Sequence, residues 1–320
     1  MNPLFFYACI FSLLAFIAIG LIDRFNSVSS HNLTRLSVLL LLCMPLFLLL
    51  PEWYVLPSSH YVSPVQEAVK QSSPPWILWL WLSGAVICII RVASSIWQLR
   101  RWQNNSHIIV DQDVLDLIEE CKLKQHVKSD HTLRELHHQA GPVACGIFSR
   151  IIYFPPDWRK WNQQTLTAVI LHEIGHHSNH DPLWRFLSLI ARSIHWYNPL
   201  VFWLSKKLHG QSEMVCDARV ISSGFRKDTY AHILCDLAAH APHSAMAMAS
   251  PSGLEMRVRE LGVVHRHLPR WILMTVMIVL LLGALAFSIL RPANDPGSPL
   301  SPTREDIELR REANPFPADR

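Results

Sequence analysis

The 320-residue chain is half apolar, has 17% charged residues, a formal net charge of +4 and a positive mean hydropathy. That balance excludes a small soluble domain and points to a membrane protein. Seven cysteines without a C-x-x-C pair exclude a disulfide framework and a thiolate zinc site: Cys9, Cys43 and Cys88 lie in apolar blocks, and Cys121, Cys145, Cys216 and Cys235 in polar sequence.

Four apolar blocks predict four transmembrane helices: Pro3 to Ile22, Leu36 to Leu50, Trp76 to Ile90 and Trp271 to Leu290. Each is long enough, with its flanks, to cross about 30 Å of hydrocarbon. The first has neither a basic start nor a small-x-small cleavage site, so it reads as a retained anchor rather than a signal peptide. Between Gln98 and Arg270 lie 16 of the 18 histidines and 20 Lys and Arg against 16 Asp and Glu, which marks that stretch as the soluble domain. Arg100, Arg101, Arg257, Arg259, Arg266 and Arg270 flank it where it meets membrane, and the positive-inside rule then places it in the cytoplasm with both termini outside. The loop Asp23 to Arg35 is internal in this layout, and the Pro- and Ser-rich loop Pro51 to Pro75 external. The expected organisation is 1–97 with three spans, 98–270 soluble, 271–290 a fourth span and 291–320 a short disordered external tail.

Within the soluble part, Val114, Leu117, Ile118 and Cys121 recur at helical spacing, predicting a helix over Asp113 to Lys124. His131 to Leu136 and Ala144 to Phe154 read as extended, a small β element whose edge can align a substrate backbone by strand addition. A long helix follows over 163–181. Asp181-Pro182 and Asn198-Pro199 read as N-caps with proline at the first helical position, and Gly210 and Gly224 as helix ends. The expected helices are Pro182 to Tyr197, which is amphipathic and able to lie on a membrane surface, Pro199 to His209, Ser212 to Ser223 and Lys227 to Ala241.

The helix over 163–181 carries His172-Glu173-Ile174-Gly175-His176, the H-E-x-x-H pattern. Histidines at i and i+4 share a face and can reach one zinc ion, while Glu173 is placed to act as general base in peptide hydrolysis. The apolar run Leu166 to Leu171 before it makes burial of two His and a Glu without partners costly. A catalytic zinc needs a third protein ligand and an open position. The metzincin pattern fails, because Asn179 and Pro182 stand at its Gly and His positions. His177 and His180 point away from the shared face. Glu213 is the better candidate, with Asp217 at i+4 able to orient a ligand imidazole, the E-x-x-x-D arrangement of glutamate-type zinc peptidases.

Four segments, Gly146-Ile147-Phe148 through Ile151-Ile152 to Pro155, Leu171-His172-Glu173-x-x-His176, His195-Trp196-Tyr197-Asn198-Pro199-Leu200 and Glu213-x-x-Cys216-Asp217-Ala218, together resemble the BlaR/MecR-type membrane zinc peptidases, known as antirepressor or beta-lactam signal-transducer proteins. The resemblance implies a mainly α fold, a cytoplasmic gluzincin-type domain, and zinc on His172, His176 and Glu213 with Glu173 as base. Asp217 and His195 are then expected to support the ligands. It also implies a membrane signalling endopeptidase that cleaves itself or a cytoplasmic protein such as a winged-helix repressor. The lipid bilayer is a partner, a homodimer is allowed, and no direct nucleic-acid contact is expected. Members that sense beta-lactams carry an external penicillin-binding domain with an S-x-x-K nucleophile, whereas here no serine has lysine three residues later. A quality-control or processing protease similar to HtpX or the CAAX peptidases, and a non-catalytic membrane sensor, are the alternatives.

Overall fold

The computed structural model describes residues 3–23, 27–47, 53–54, 75–137, 141–239, 251–262, 274–276, 278–279, 282 and 290–291. The fold is mainly helical with a small sheet. Most of the expected external loop, most of the fourth span and all of the tail after Arg291 lie outside the described residues.

Helices α1 (Pro3–Asp23) and α2 (Ser27–Phe47) form a hairpin, and α3 (Pro75–Asn104) follows. Among the described residues, one helical stretch, Leu82–Asn104, is long and apolar enough to cross a bilayer. The apolar stretches Cys9–Ile22 and His31–Cys43 of the hairpin are shorter. Residues 27–35, expected as a loop, instead continue α2 towards its N-terminus. The reason is packing: His31, Leu33 and Thr34 are buried against the rest of the protein, so this turn needs no apolar periodicity to stay helical.

Four strands, β1 (His107–Ile108), β2 (Thr132–Glu135), β3 (Val143–Cys145) and β4 (Ile151–Phe154), form one sheet in the order β1-β2-β4-β3. β2 and β4 pair in parallel, while β3 lies antiparallel to β4 on the sheet edge. The single extended run expected over 144–154 is therefore two strands joined by a turn at Gly146, whose φ of +91° and whose neighbouring Ser149 carbonyl leave no room for a Cβ. Trp53–Tyr54 and Leu290–Arg291 make a separate two-residue parallel pair.

The sheet and α4 (Gln112–Lys124) pack on α5 (Gln163–Ser178). Asn162 caps α5 by accepting from the Thr165 amide at 2.8 Å. Next come α6 (Asp181–Ile194), α7 (Pro199–Ser222), α8 (Lys227–Ala239) and α9 (Pro251–Gly262). Asn198 caps α7 as expected, accepting from the Leu200 amide. Gly210 does not end a helix; α7 runs through it, because a glycine costs only about 1 kcal/mol inside a helix. Gly224, at φ +104°, does close α7.

α7 joins two cores. Val201, Leu204 and Leu208 in its first half pack with Phe11, Ile19 and Leu41 of the hairpin and with Ala191 of α6. Val220 in its last turn packs with Ile152, Leu171, Ile174 and Tyr230 in the core around α5 and the sheet. The amphipathic helix α6 packs on α2, α3 and α7.

Candidate metal centre

His172 and His176 sit one turn apart on α5, both buried, with ring centroids 4.9 Å apart. Glu213 reaches them from the middle of α7: its Oε2 lies 3.3 Å from His172 Nε2 and its Oε1 3.5 Å from His176 Nε2. Donor atoms about 2.0–2.1 Å from a tetrahedral zinc are roughly 3.3–3.4 Å apart, so these separations suit three ligands of one ion.

The opposite nitrogens of both rings are held by carboxylates. His172 Nδ1 lies 3.1 Å from Asp217 Oδ1 and 3.2 Å from the Tyr230 hydroxyl, which itself donates to Asp217 Oδ1 at 2.7 Å. Arg257 grips Asp217 with two bonds, Nε to Oδ2 at 2.8 Å and Nη2 to Oδ1 at 2.6 Å. His176 Nδ1 lies 2.9 Å from Asp181 Oδ2. This network assigns the Nδ1–H tautomer to both rings and leaves their Nε2 lone pairs facing Glu213, the arrangement a divalent cation requires. The donor set therefore fits zinc.

Burial disfavours the charged form of His172, but hydrogen bonds to Asp217 and Glu213 outweigh it and raise its pKa to about 9, so a cation binding at Nε2 has to displace a proton from this ring. Burial likewise opposes ionisation of Glu213, yet the His176 and His172 imidazoles and Arg257 hold its pKa well below the usual carboxylate range. Asp217 is held down in the same way by Arg257 and His172 against its burial. Such a cluster attracts a cation strongly. Burial, with Asp181, Glu213, Glu173 and Asp217 adding, pushes the Cys216 thiol well up, so beside His176 Nδ1 at 3.3 Å it stays protonated.

Glu173 is buried on the same helix, and its carboxylate groups with the two imidazoles within 4.8 Å. Its Oε2 has no hydrogen-bond partner among the described residues. The site opens into a cleft of about 780 Å³. Edge-strand residues Val143 and Ala144 line one wall, Arg185 and Arg257 others. Both arginines reach Glu213, Arg185 Nη2 at 3.1 Å from Oε1 and Arg257 Nη1 at 3.4 Å from Oε2.

The structure thus gathers His172, Glu173, His176, Glu213 and Asp217. It does not bring His195 to them. His195 is fully buried, with Nε2 2.9 Å from the Leu41 carbonyl and Nδ1 3.1 Å from the Tyr197 hydroxyl, so it ties the α6–α7 turn to α2 instead of supporting a ligand. Asp181 corrects a second reading. His180, at φ +57°, occupies the cap of α6, and Asp181 turns its carboxylate back onto His176. Sequence reasoning also missed Tyr230 and the double role of Arg257. The burial of an Asp five residues after a ligand His was the only local signal for Asp181, and burial is not visible in one sequence.

Comparison with known proteins bears on the same region. The family model described as BlaR1 peptidase M56 matches residues 55–261. The chain is 23% identical to the regulatory protein BlaR1 of Bacillus licheniformis over 168 residues, 51% of this chain and 28% of that protein. It is 22% identical over 147 residues to the methicillin resistance mecR1 proteins of Staphylococcus aureus and Staphylococcus epidermidis, 45% of this chain and 25% of each of those. The matched stretch thus spans only about a quarter of the length of these curated relatives. With the family match covering more than half of its residues and enclosing the whole candidate centre, the chain belongs to the BlaR1 peptidase M56 family.

Proposed function

We propose that the protein is an integral-membrane zinc endopeptidase that cuts a cytoplasmic protein, its own chain or a repressor, in response to a signal received at or beyond the membrane. The observation that carries this reading is the approach of Glu213 from α7 to His172 Nε2 at 3.3 Å and to His176 Nε2 at 3.5 Å, with Glu173 grouped with the same two imidazoles and its Oε2 unpartnered among the described residues.

Zinc held there supplies a Lewis acid and brings the pKa of its water to about 7. Glu173 takes a proton from the attacking water at Oε2 and delivers it to the leaving amine nitrogen. The edge strand β3, on the wall of the cleft, pairs with the substrate backbone and sets its register. Arg185, partly exposed in the same cleft and paired with Glu213, is a cation that can neutralise the negative charge that develops on the scissile carbonyl oxygen. In this reading four helices cross the inner membrane, the peptidase lies in the cytoplasm, and both termini are external.

The test is cleavage in reconstituted vesicles with a cytosolic candidate substrate. Glu173→Gln is expected to lower the cleavage rate by at least about 100-fold while zinc content stays at one per chain. Glu213→Ala is expected to lose zinc. Cleavage unchanged in Glu173→Gln would remove the mechanism, and full zinc occupancy in Glu213→Ala would remove Glu213 from the ligand set.

A further inference from the structure

The second hairpin helix enters the candidate centre through one side chain. Arg35 on α2 donates from Nη2 to the Asn179 carbonyl at 2.6 Å and to Asp181 Oδ1 at 2.7 Å. Asn179 is the C-cap of α5, the helix that carries the H-E-x-x-H pattern, so the guanidinium also sits at the negative end of that helix. Asp181 is fully buried, and its two oxygens have separate duties. Oδ1 accepts from Arg35 and from Ser212 Oγ at 3.0 Å, while Oδ2 accepts from His176 Nδ1 at 2.9 Å. The chain from Arg35 through Asp181 to His176 therefore contains two charge-assisted contacts and no solvent-exposed link.

A buried carboxylate is stable only with a cation or several donors, and Arg35 is the full positive charge bonded to this one. The guanidinium is planar and bridges two acceptors with one nitrogen, while the face of Trp184 lies 5.3 Å from its central carbon. Its direction is thus set by α2 and by α6 together.

We infer that Arg35 is a positioning residue of the metal centre, acting through Asp181 to fix the His176 ring, so that the placement of the second hairpin helix sets the affinity for zinc. This rests on the metal-centre reading above. Two other polar ties between the hairpin and the rest of the protein, His195 to the Leu41 carbonyl on α2 and Asn198 Nδ2 to Ser12 Oγ on α1 at 2.6 Å, do not contact a ligand imidazole. They separate loosening of the hairpin from loss of positioning.

The experiment measures zinc affinity of the full chain in nanodiscs by competition with a chromogenic chelator, in a Glu173→Gln background so that self-cleavage cannot interfere. Arg35→Ala is expected to weaken zinc binding by about 10–100-fold, the range for loss of a group that orients a ligand. Arg35→Lys, which keeps the charge, should recover a large part of it, and serves as well if Arg35→Ala does not fold. Asp181→Asn should weaken binding similarly, and the double variant no further. Ser12→Ala is expected to lower the melting temperature and leave zinc affinity unchanged. Wild-type affinity in Arg35→Ala, additive losses in the double variant, or an equal loss in Ser12→Ala would each overturn the inference. A parent protein that takes up no zinc at all would instead remove the metal-centre reading, and this inference with it.

Discussion

Tyr230, Arg257 and His172 converge on the carboxylate of Asp217, which is almost fully buried. The residue does two things at once: it accepts the proton side of a ligand imidazole, and it neutralises a guanidinium that also reaches Glu213. Asp217→Ala should therefore fail on both counts. Zinc affinity is expected to fall by about 10–100-fold, and the zinc-free protein to lose about 1–3 kcal/mol, because Tyr230 loses its acceptor and Arg257 keeps only its longer contact to Glu213. Chelator competition and denaturant unfolding of the detergent-solubilised protein measure the two separately. The spacing E-x-x-x-D made Glu213 and Asp217 legible as a pair, since one turn of helix puts both on one face. Tyr230 and Arg257 were not legible, because they arrive from 13 and 40 residues further on.

At the scale of elements, the centre exists because α5 and α7 approach closely, and Gly175 permits it. A Cβ at Gly175 would stand 3.2 Å from Cys216 Sγ and 3.4 Å from its Cβ, tighter than normal packing. Alanine improves intrinsic helix propensity by about 1 kcal/mol, while overpacking costs about 1–3 kcal/mol. Gly175→Ala is thus expected to destabilise the protein by about 1 kcal/mol. It should also weaken zinc binding, since pushing α7 away carries Glu213 with it. Thermal unfolding with and without zinc checks the sign, and a more stable, equally zinc-competent variant would show that the helices can part freely. A similar approach sets α3 against the end of α6, where a Cβ on Gly84 would fall within 2.3 Å of the Trp196 ring. The i, i+4 histidine pair of α5 and the Asn198 cap of α7 were read from sequence. The continuity of α7 through Gly210 was not, since two flanking cores override a weak local breaker.

For the whole molecule, the hairpin is not a detachable anchor. The core that includes Phe11, Ile19 and Leu41 also includes Ala191, Val201, Leu204 and Leu208, so α1 and α2 share an interior with α6 and α7. The proposed orientation can be checked with a native probe, because Cys235 on α8 is exposed. In a variant retaining Cys235 alone, a membrane-impermeant maleimide is expected to label inside-out vesicles and to spare intact spheroplasts. Labelling of spheroplasts would reverse the orientation.

The sequence by itself determined the apolar blocks, the H-E-x-x-H pattern and the E-x-x-x-D pair, because each is a pattern within one or two turns of chain or a local run of composition, and together these carried the family resemblance. Only the tertiary structure decided which carboxylate serves which imidazole. Asp181 for His176, the bond of Arg35 to Asp181 and the removal of His195 to the hairpin depend on contacts between residues as many as 154 positions apart. Such pairings follow from how helices pack, and side-chain spacing along the chain carries no record of that.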